Sequence, residues 1–298
     1  MRDKRTTLAR PQLSLTLGCN SAGQTILQQR YMAYPLSVSP LFRREEIRRE
    51  ENSAGVCAQR AYLYRMNTSP GLLAGDDIEV SIQLATKSQL YLVDQSALKV
   101  HSMPDADSYS TVRYNVRLEA GSMLEFLPEP LILFEDADLE QTVDIEMHDE
   151  AGLCWGEIVL PGRLARDEKY QFRRYLNKTK VCSLEGTLWF AEAMNLTGKG
   201  NLLARSPLFA SAPVLGTLIL ALPKSVATAQ GLKTLGDRID KIGTDLPSLD
   251  LASSVLPGDR GLLIRAMSKT TREIQVGFKQ VLNCGRSLQG QNPLPYGL

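Results

Sequence analysis

Residues 123–170 read MLEFLPEPLILFEDADLEQTVDIEMHDEAGLCWGEIVLPGRLARDEKY. Apolar runs of strand length alternate here with acids, and Glu125, Glu129, Glu135, Asp136 and Glu157 fall inside or beside those runs. In an extended segment neighbouring side chains alternate faces, so Leu124 and Phe126 point one way and Glu125 and Leu127 the other. Pro128 and Pro130 donate nothing to a sheet ladder, so the strand ends there and Glu129 sits on a rigid extended turn. A second buried strand starts at 131–134. A buried carboxylate without a partner is expensive or shifts its pKa. These acids are therefore either solvated strand ends or a fixed set lining a polar channel or an interface. Arg163, directly after Gly162, is their nearest candidate partner in sequence.

The same alternation recurs on both sides of this block. Residues 13–17, 61–66, 112–118 and 143–147 read as strands, and Ile78, Val80, Ile82 and Leu84 form the cleanest amphipathic strand of the chain. Residues 89–93 are its expected hairpin partner across the 85–88 turn. Further strands are expected at 171–175 and 186–190. The apolar run between Pro213 and Pro223 is far shorter than the ~20 residues of a membrane helix and reads as a buried strand. Many short strands separated by turn residues predict a mainly β, all-β-type architecture rather than βαβ units. No repeat of constant period is present, so a regular solenoid is not expected.

Helices are expected only late. Residues 227–242 place Leu232, Leu235, Ile239 and Ile242 near one face, although Gly231 and Gly236 cost about 1 kcal/mol each. Residues 268–284 open on a capping box, Thr270 with Glu273, and carry Ile274, Phe278, Val281 and Leu282 at helical spacing. Gly285 is a natural stop. Residues 287–298 then form a tail whose apolar end (Leu294, Tyr296, Leu298) is either loose or docks on a partner. Residues 1–11 read as a loose tail, and the charge run 43–52 as a solvated loop or short exposed helix.

The 298 residues carry a net charge of +1, which argues against a nucleic-acid surface built on global charge. The basic N-terminus lacks an apolar signal core, and five scattered cysteines (Cys19, Cys57, Cys154, Cys182, Cys284) without a CxxC pair suit reduced thiols; a cytoplasmic chain is expected. With His101 and His148 as the only histidines, a histidine-rich metal site cannot be built within one chain. His101 reads as a surface or packed imidazole, or as a metal or partner contact. No GxSxG, P-loop, dinucleotide-binding glycine motif or HExxH occurs. Paired carboxylates can hydrolyse glycosides, but that chemistry wants stacking aromatics, and Trp155 and Trp189 both lie in runs that read as core.

Several pieces, in order along nearly the whole chain, carry a resemblance. They are Gly23 and Thr25 with Tyr34-Pro35-Leu36; Pro70-Gly71-Leu72-Leu73 with Gly75-Asp76; Gln95-Ser96-Ala97 with Lys99; Leu124-Glu125-Phe126-Leu127-Pro128-Glu129-Pro130 with Phe134; Trp155-Gly156-Glu157-Ile158; Gly162-Arg163; and Glu168. Together they resemble the urease accessory protein family UreD, called UreH in some bacteria. The resemblance implies a single domain over residues 1–298 with an irregular β-helix-like fold and a few helices near the C-terminus. It implies no enzymatic activity and no tightly bound cofactor. The implied role is a maturation factor that binds apo-urease, UreF and the GTPase UreG while nickel is delivered to the urease active site, with a polar tunnel as the nickel route. The acidic tunnel positions map onto Asp76, Asp77 and Glu168, with Glu157 as a further candidate. Lys99, His101, Glu125, Glu129 and Arg163 are expected to be structural or to face partners, Arg163 by pairing with an acid. Carboxylates bind Ni²⁺ more weakly than imidazole or thiolate, which suits transit over storage. Two alternatives remain: a pure scaffold that docks through residues 268–284 and the apolar tail, and an unrelated β-rich binding module.

Overall fold

A computed structural model describes residues 10–44, 59–200 and 205–295. The chain opens on an antiparallel hairpin, β1 (Leu13–Cys19) and β2 (Thr25–Met32), followed by β3 (Leu36–Val38) and β4 (Ala61–Asn67). It then winds in coils. The first is β5 (Asp77–Leu84), β6 (Gln89–Asp94) and β7 (Leu98–Val100); the second is β8 (Ser110–Leu118), β9 (Met123–Leu127) and β10 (Leu131–Leu133); the third is β11 (Asp138–Met147) and β12 (Gly152–Leu160); β13 (Arg174–Ser183) begins another. Equivalent strands stack in parallel, β5 on β8 on β11 on β13 and β6 on β9 on β12, with β7 on β10 along a short third side. In one row Ile78 stands beside Val112, Val112 beside Gln141 and Gln141 beside Asn177. Those steps along the chain are unequal, which is why no constant period shows in the sequence. The architecture is mainly β, as the strand pattern predicts, and the stacked coils fit the irregular β-helix-like fold that the resemblance implies.

After the coils come β14 (Leu188–Thr197), a short α1 (Pro207–Ser211), β15 (Val214–Ala221), α2 (Ala229–Asp245), β16 (Leu249–Val255), β17 (Gly261–Ser268) and α3 (Thr271–Leu288). Two sheets result. The first runs β14-β13-β11-β8-β5-β1-β2, and the second β16-β17-β15-β12-β9-β6-β4-β3.

The corners between the sheets repeat one device. Ser88 N donates to Ala85 O, Ser122 N to Glu119 O and Ala151 N to His148 O, and each corner rests on the next through Lys87 N on Ala120 O and Gly121 N on Glu150 O. Lys87 and Gly121 both take positive φ there, 64° and 68°. Each turn thus passes the chain across the molecule instead of folding it back. This overturns the expected hairpin: residues 89–93 form β6, which pairs with β4 and β9, while 78–84 form β5, which pairs with β1 and β8.

One core lies between the sheets, where Leu15, Val80, Leu92, Phe126, Val143 and Trp155 meet. The other lies between the second sheet and the helices, where Tyr62, Cys154, Leu218, Leu235, Phe278 and Leu282 meet. The second sheet is therefore covered on both faces and reads as continuous apolar runs, while the first keeps a solvated outer face and reads as alternation. Trp155 is core as expected; Trp189 is only half-buried, with the Arg260 guanidinium 3.8 Å from its ring centre.

The helices differ from expectation at their ends. The first expected at 227–242 is α2, Ala229–Asp245, and the second is α3, Thr271–Leu288, with the Thr270 hydroxyl accepting from Glu273 N as predicted. Gly285 does not stop α3. A side chain there would meet Leu220 at 3.1 Å, so glycine serves close packing of the helix on β15. The non-helical tail consequently starts after Leu288, and Leu294 packs on the second core. The apolar face of α3 is covered by the chain's own sheet. Tyr296 and Leu298, most of the 43–52 run and residues 1–9 lie outside the described residues. Among the described residues no helix is long and apolar enough to cross a membrane.

Candidate functional site

Alternation along β12 sends Leu153, Trp155 and Val159 into the core between the sheets, and Glu157 with them. Glu157 is met there by neutral donors from the opposite sheet. Gln141 Nε2 and Tyr175 Oη each donate to Oε1 at 2.5 Å, and Asn177 Nδ2 lies 3.1 Å from both carboxylate oxygens. Burial pushes the Glu157 carboxyl above the usual carboxylate range against these hydrogen bonds and against Arg265. Asn177 Oδ1, beside it, is buried and has no hydrogen-bond partner. Toward solvent the network continues through Arg265, which donates to Thr217 Oγ1 and to Glu192.

A cavity of about 30 Å³ connects Glu157, Gln141 and Glu129 to a second polar group deeper in the same core, Arg65 with Asp94 and Tyr114. Arg65 Nε and Nη2 donate to the two oxygens of Asp94 at 2.6 and 3.0 Å, and Nη1 donates to Tyr114 Oη at 2.8 Å. On the far side of this group a further cavity of about 30 Å³ reaches Asn67, Ser96 and Ile78. A polar seam thus threads the apolar core.

Ile78 is followed back by Asp77 and Asp76, which stand at the mouth of β5 on the surface. Asp76 Oδ2 accepts from Leu73 N at 2.7 Å and closes its own turn. Asp77 accepts from Thr111 Oγ1 at 2.5 Å and from Arg113 Nη2 at 2.9 Å; these bonds outweigh burial and hold its carboxyl below the usual range. With Asp105 and Asp107 the two line an open depression of about 630 Å³.

Glu168 lies elsewhere, at a corner of the coils. Both its oxygens are engaged, one by Glu135 N and one by Arg163 Nε, and these bonds overcome burial to keep its carboxyl low. The expected pairing of Arg163 with an acid is therefore found. The Arg163 guanidinium also lies 4.4 Å from the Phe134 ring centre, and His101 meets the same ring edge-on at 5.0 Å while Nε2 reaches Pro70 O at 3.1 Å. His101, Phe134, Arg163 and Glu168 form one ladder down the corner. Lys99 contributes its carbonyl, which accepts from Leu72 N at 2.8 Å and would meet any side chain placed at Gly71.

Glu125 is fully buried on the helix-facing side of the second sheet. Arg286 Nε and Nη2 grip its two oxygens at 2.9 and 2.5 Å, and Arg60 Nη1 lies at 3.4 Å. Glu129 accepts from Gln275 of α3 at 3.0 Å while also lining the cavity beside Glu157. The structure thus gathers Glu157 and Glu129 around one cavity, places Asp76 and Asp77 in a surface depression whose lining shares no residue with either cavity, and puts Glu168 with Arg163 and His101 at a corner of the coils. Among the described residues no three histidine, cysteine or acidic side chains converge to hold a metal ion. Arg65, Asp94, Gln141, Tyr175 and Asn177 escaped the sequence reading. Arg65 lies near the end of β4 and Asp94 ends β6, and no local pattern marks a polar side chain as inward.

A family model described as UreD urease accessory protein matches residues 9–296. The chain is 42% identical over 285 residues to the urease accessory protein UreD of Trichodesmium erythraeum, covering 95% of this chain and 97% of that protein. It is 28% identical over 287 residues to the UreD of Actinobacillus pleuropneumoniae serotype 5b, covering 94% and 98%, and 31% identical over 197 residues to that of Haemophilus influenzae, covering 62% and 72%. The family model spans the coils, the corner ladder and the interior seam alike, and the chain belongs to the UreD family of urease accessory proteins.

Proposed function

We propose that this accessory protein, whose family gives it a role in urease maturation, bridges apo-urease to UreF and UreG in the cytoplasm and passes nickel along its interior seam. The observation that carries this reading is Glu157. A carboxylate placed between two sheets, met by amide and phenol donors and without a direct ion pair, is a stability liability that function must justify. An oxygen-only path with no imidazole or thiolate holds Ni²⁺ weakly enough to release it. The acidic depression at Asp76 and Asp77 gathers the cation, Glu129 and Glu157 relay it, and Arg163 with Glu168 holds a corner of the coils in shape. The chain transports nickel as cargo and performs no catalysis of its own. The alternative scaffold loses its main docking surface, because the apolar face of α3 is already packed.

The test is co-expression of urease subunits and the other accessory proteins with and without this chain, followed by pull-down and a urea-hydrolysis assay. Omission is expected to abolish nickel loading and activity together. Unchanged activity with no co-purification would leave a β-rich binding module as the better reading.

A further inference from the structure

The seam is not open along its length. The two cavities share Arg65, Asp94, Leu98 and Tyr114 as a common wall, and each has room for little more than a water molecule. The wall is a buried ion pair. Arg65 is clamped by Asp94 and Tyr114 and stacked near the Tyr114 and Phe126 rings at 5.4 and 5.2 Å. A guanidinium fixed across a narrow polar passage repels a divalent cation, and Asp94, the one carboxylate that both cavities share, is neutralised by it.

We propose that the Arg65–Asp94 pair is a gate that closes the seam to cations, and that opening it consists of Arg65 leaving Asp94 and withdrawing its guanidinium from the passage. This rests on the nickel-conduit reading above. The placement of the pair fits a moving part. Arg65 and Asp94 stand side by side near the ends of β4 and β6, where Gln95 N on Arg65 O closes the register before the chain leaves the sheet. Tyr114 comes from the opposite sheet, so a small shear of one sheet on the other loosens one of the three bonds that hold the guanidinium. No substrate bond is made or broken; the gate moves one guanidinium out of the way.

The experiment uses the complete complex with apo-urease and the other accessory proteins, nickel chloride as the probe, and the initial rate of activation as readout. Arg65→Gln/Asp94→Asn keeps hydrogen bonding and removes both charges. It is expected to assemble normally and to raise the initial rate at limiting nickel roughly tenfold, equivalent to about 1.4 kcal/mol off the barrier. Tyr114→Phe removes only the clamping hydroxyl and is expected to shift the rate in the same direction by less, so the idea stays testable if the double variant folds poorly. Glu157→Gln is run alongside. Slowed activation with Glu157→Gln together with unchanged rates for assembled Arg65→Gln/Asp94→Asn and Tyr114→Phe overturns the gate and leaves the conduit standing. Unchanged activation with Glu157→Gln overturns the conduit and the gate with it.

Discussion

Arg286 holds both oxygens of Glu125 in a bidentate grip, at 2.9 and 2.5 Å, although the two residues are 161 positions apart. The pair ties the last turn of α3 to β9 from inside the second core, where neither side chain meets solvent. Removing one member of a buried pair leaves an uncompensated charge. Glu125→Gln is therefore expected to cost about 3–5 kcal/mol. Urea unfolding of the chain purified with its partners measures this, and a loss below about 1 kcal/mol would contradict it.

Glu157 makes the opposite prediction. Its carboxyl is raised by burial, so the folded state disfavours the charged form. The penalty is absent where folded and unfolded states are both protonated and grows as pH rises from about 4.3 through the folded value. Glu157→Gln is thus expected to raise the melting temperature by a few degrees at pH 8, with the gain shrinking toward pH 4. The Asn177 amide can flip to offer its unpartnered Oδ1 to the new amide. Melting curves across this pH range check the sign, and a variant that is less stable at pH 8 would refute it.

Glu168 carries its sign the other way. Hydrogen bonds from Arg163 and Glu135 keep its carboxyl low, so its contribution to the corner is present at neutral pH and fades as pH falls below about 4.3 toward its folded value. Gly162→Ala attacks the same corner at any pH, because φ there is 140° and a Cβ would lie 1.8 Å from Glu168 O. Limited proteolysis near residues 162–170 is expected to speed up for this variant at pH 7 and for the unmodified chain only in acid. Equal protection of both at pH 7 would contradict the ladder.

These two acids show what the sequence makes legible. Glu125 facing away from Leu124 and Phe126, the strand ending at Pro128, and the capping box of Thr270 and Glu273 all follow from rules that act within a few residues. The clean alternation of β5 and β8 is readable because their outer side chains meet water. What fails is whatever depends on distant chain. The 85–88 turn looks like a hairpin turn, yet it hands the chain to the opposite sheet because the corner beneath supplies its hydrogen bonds. Gly285 looks like a stop, yet it answers to Leu220. Asp76, Asp77 and Glu168 are one set by the resemblance, but the coiling puts the first two at the mouth of β5 and the third at a corner beside Arg163.

At the surface, Asp77→Ala removes one acid of the depression and leaves Arg113 only its longer pairing with Glu79 at 3.9 Å, turning the depression toward positive. Activation is expected to fall at limiting nickel, by roughly threefold for an exposed charge pair worth under 1 kcal/mol, and to recover at saturating nickel. Titration of nickel chloride against urease activity separates this from a folding defect, which excess nickel would not repair.

The account turns on whether Glu157 handles nickel inside the protein. The most direct measurement is the nickel content of urease matured in complexes that carry either the unmodified chain or Glu157→Gln, at equal complex assembly. The conduit account predicts sharply reduced nickel per urease active site for Glu157→Gln despite a chain that is at least as stable. Full nickel loading by a well-assembled Glu157→Gln complex would contradict it.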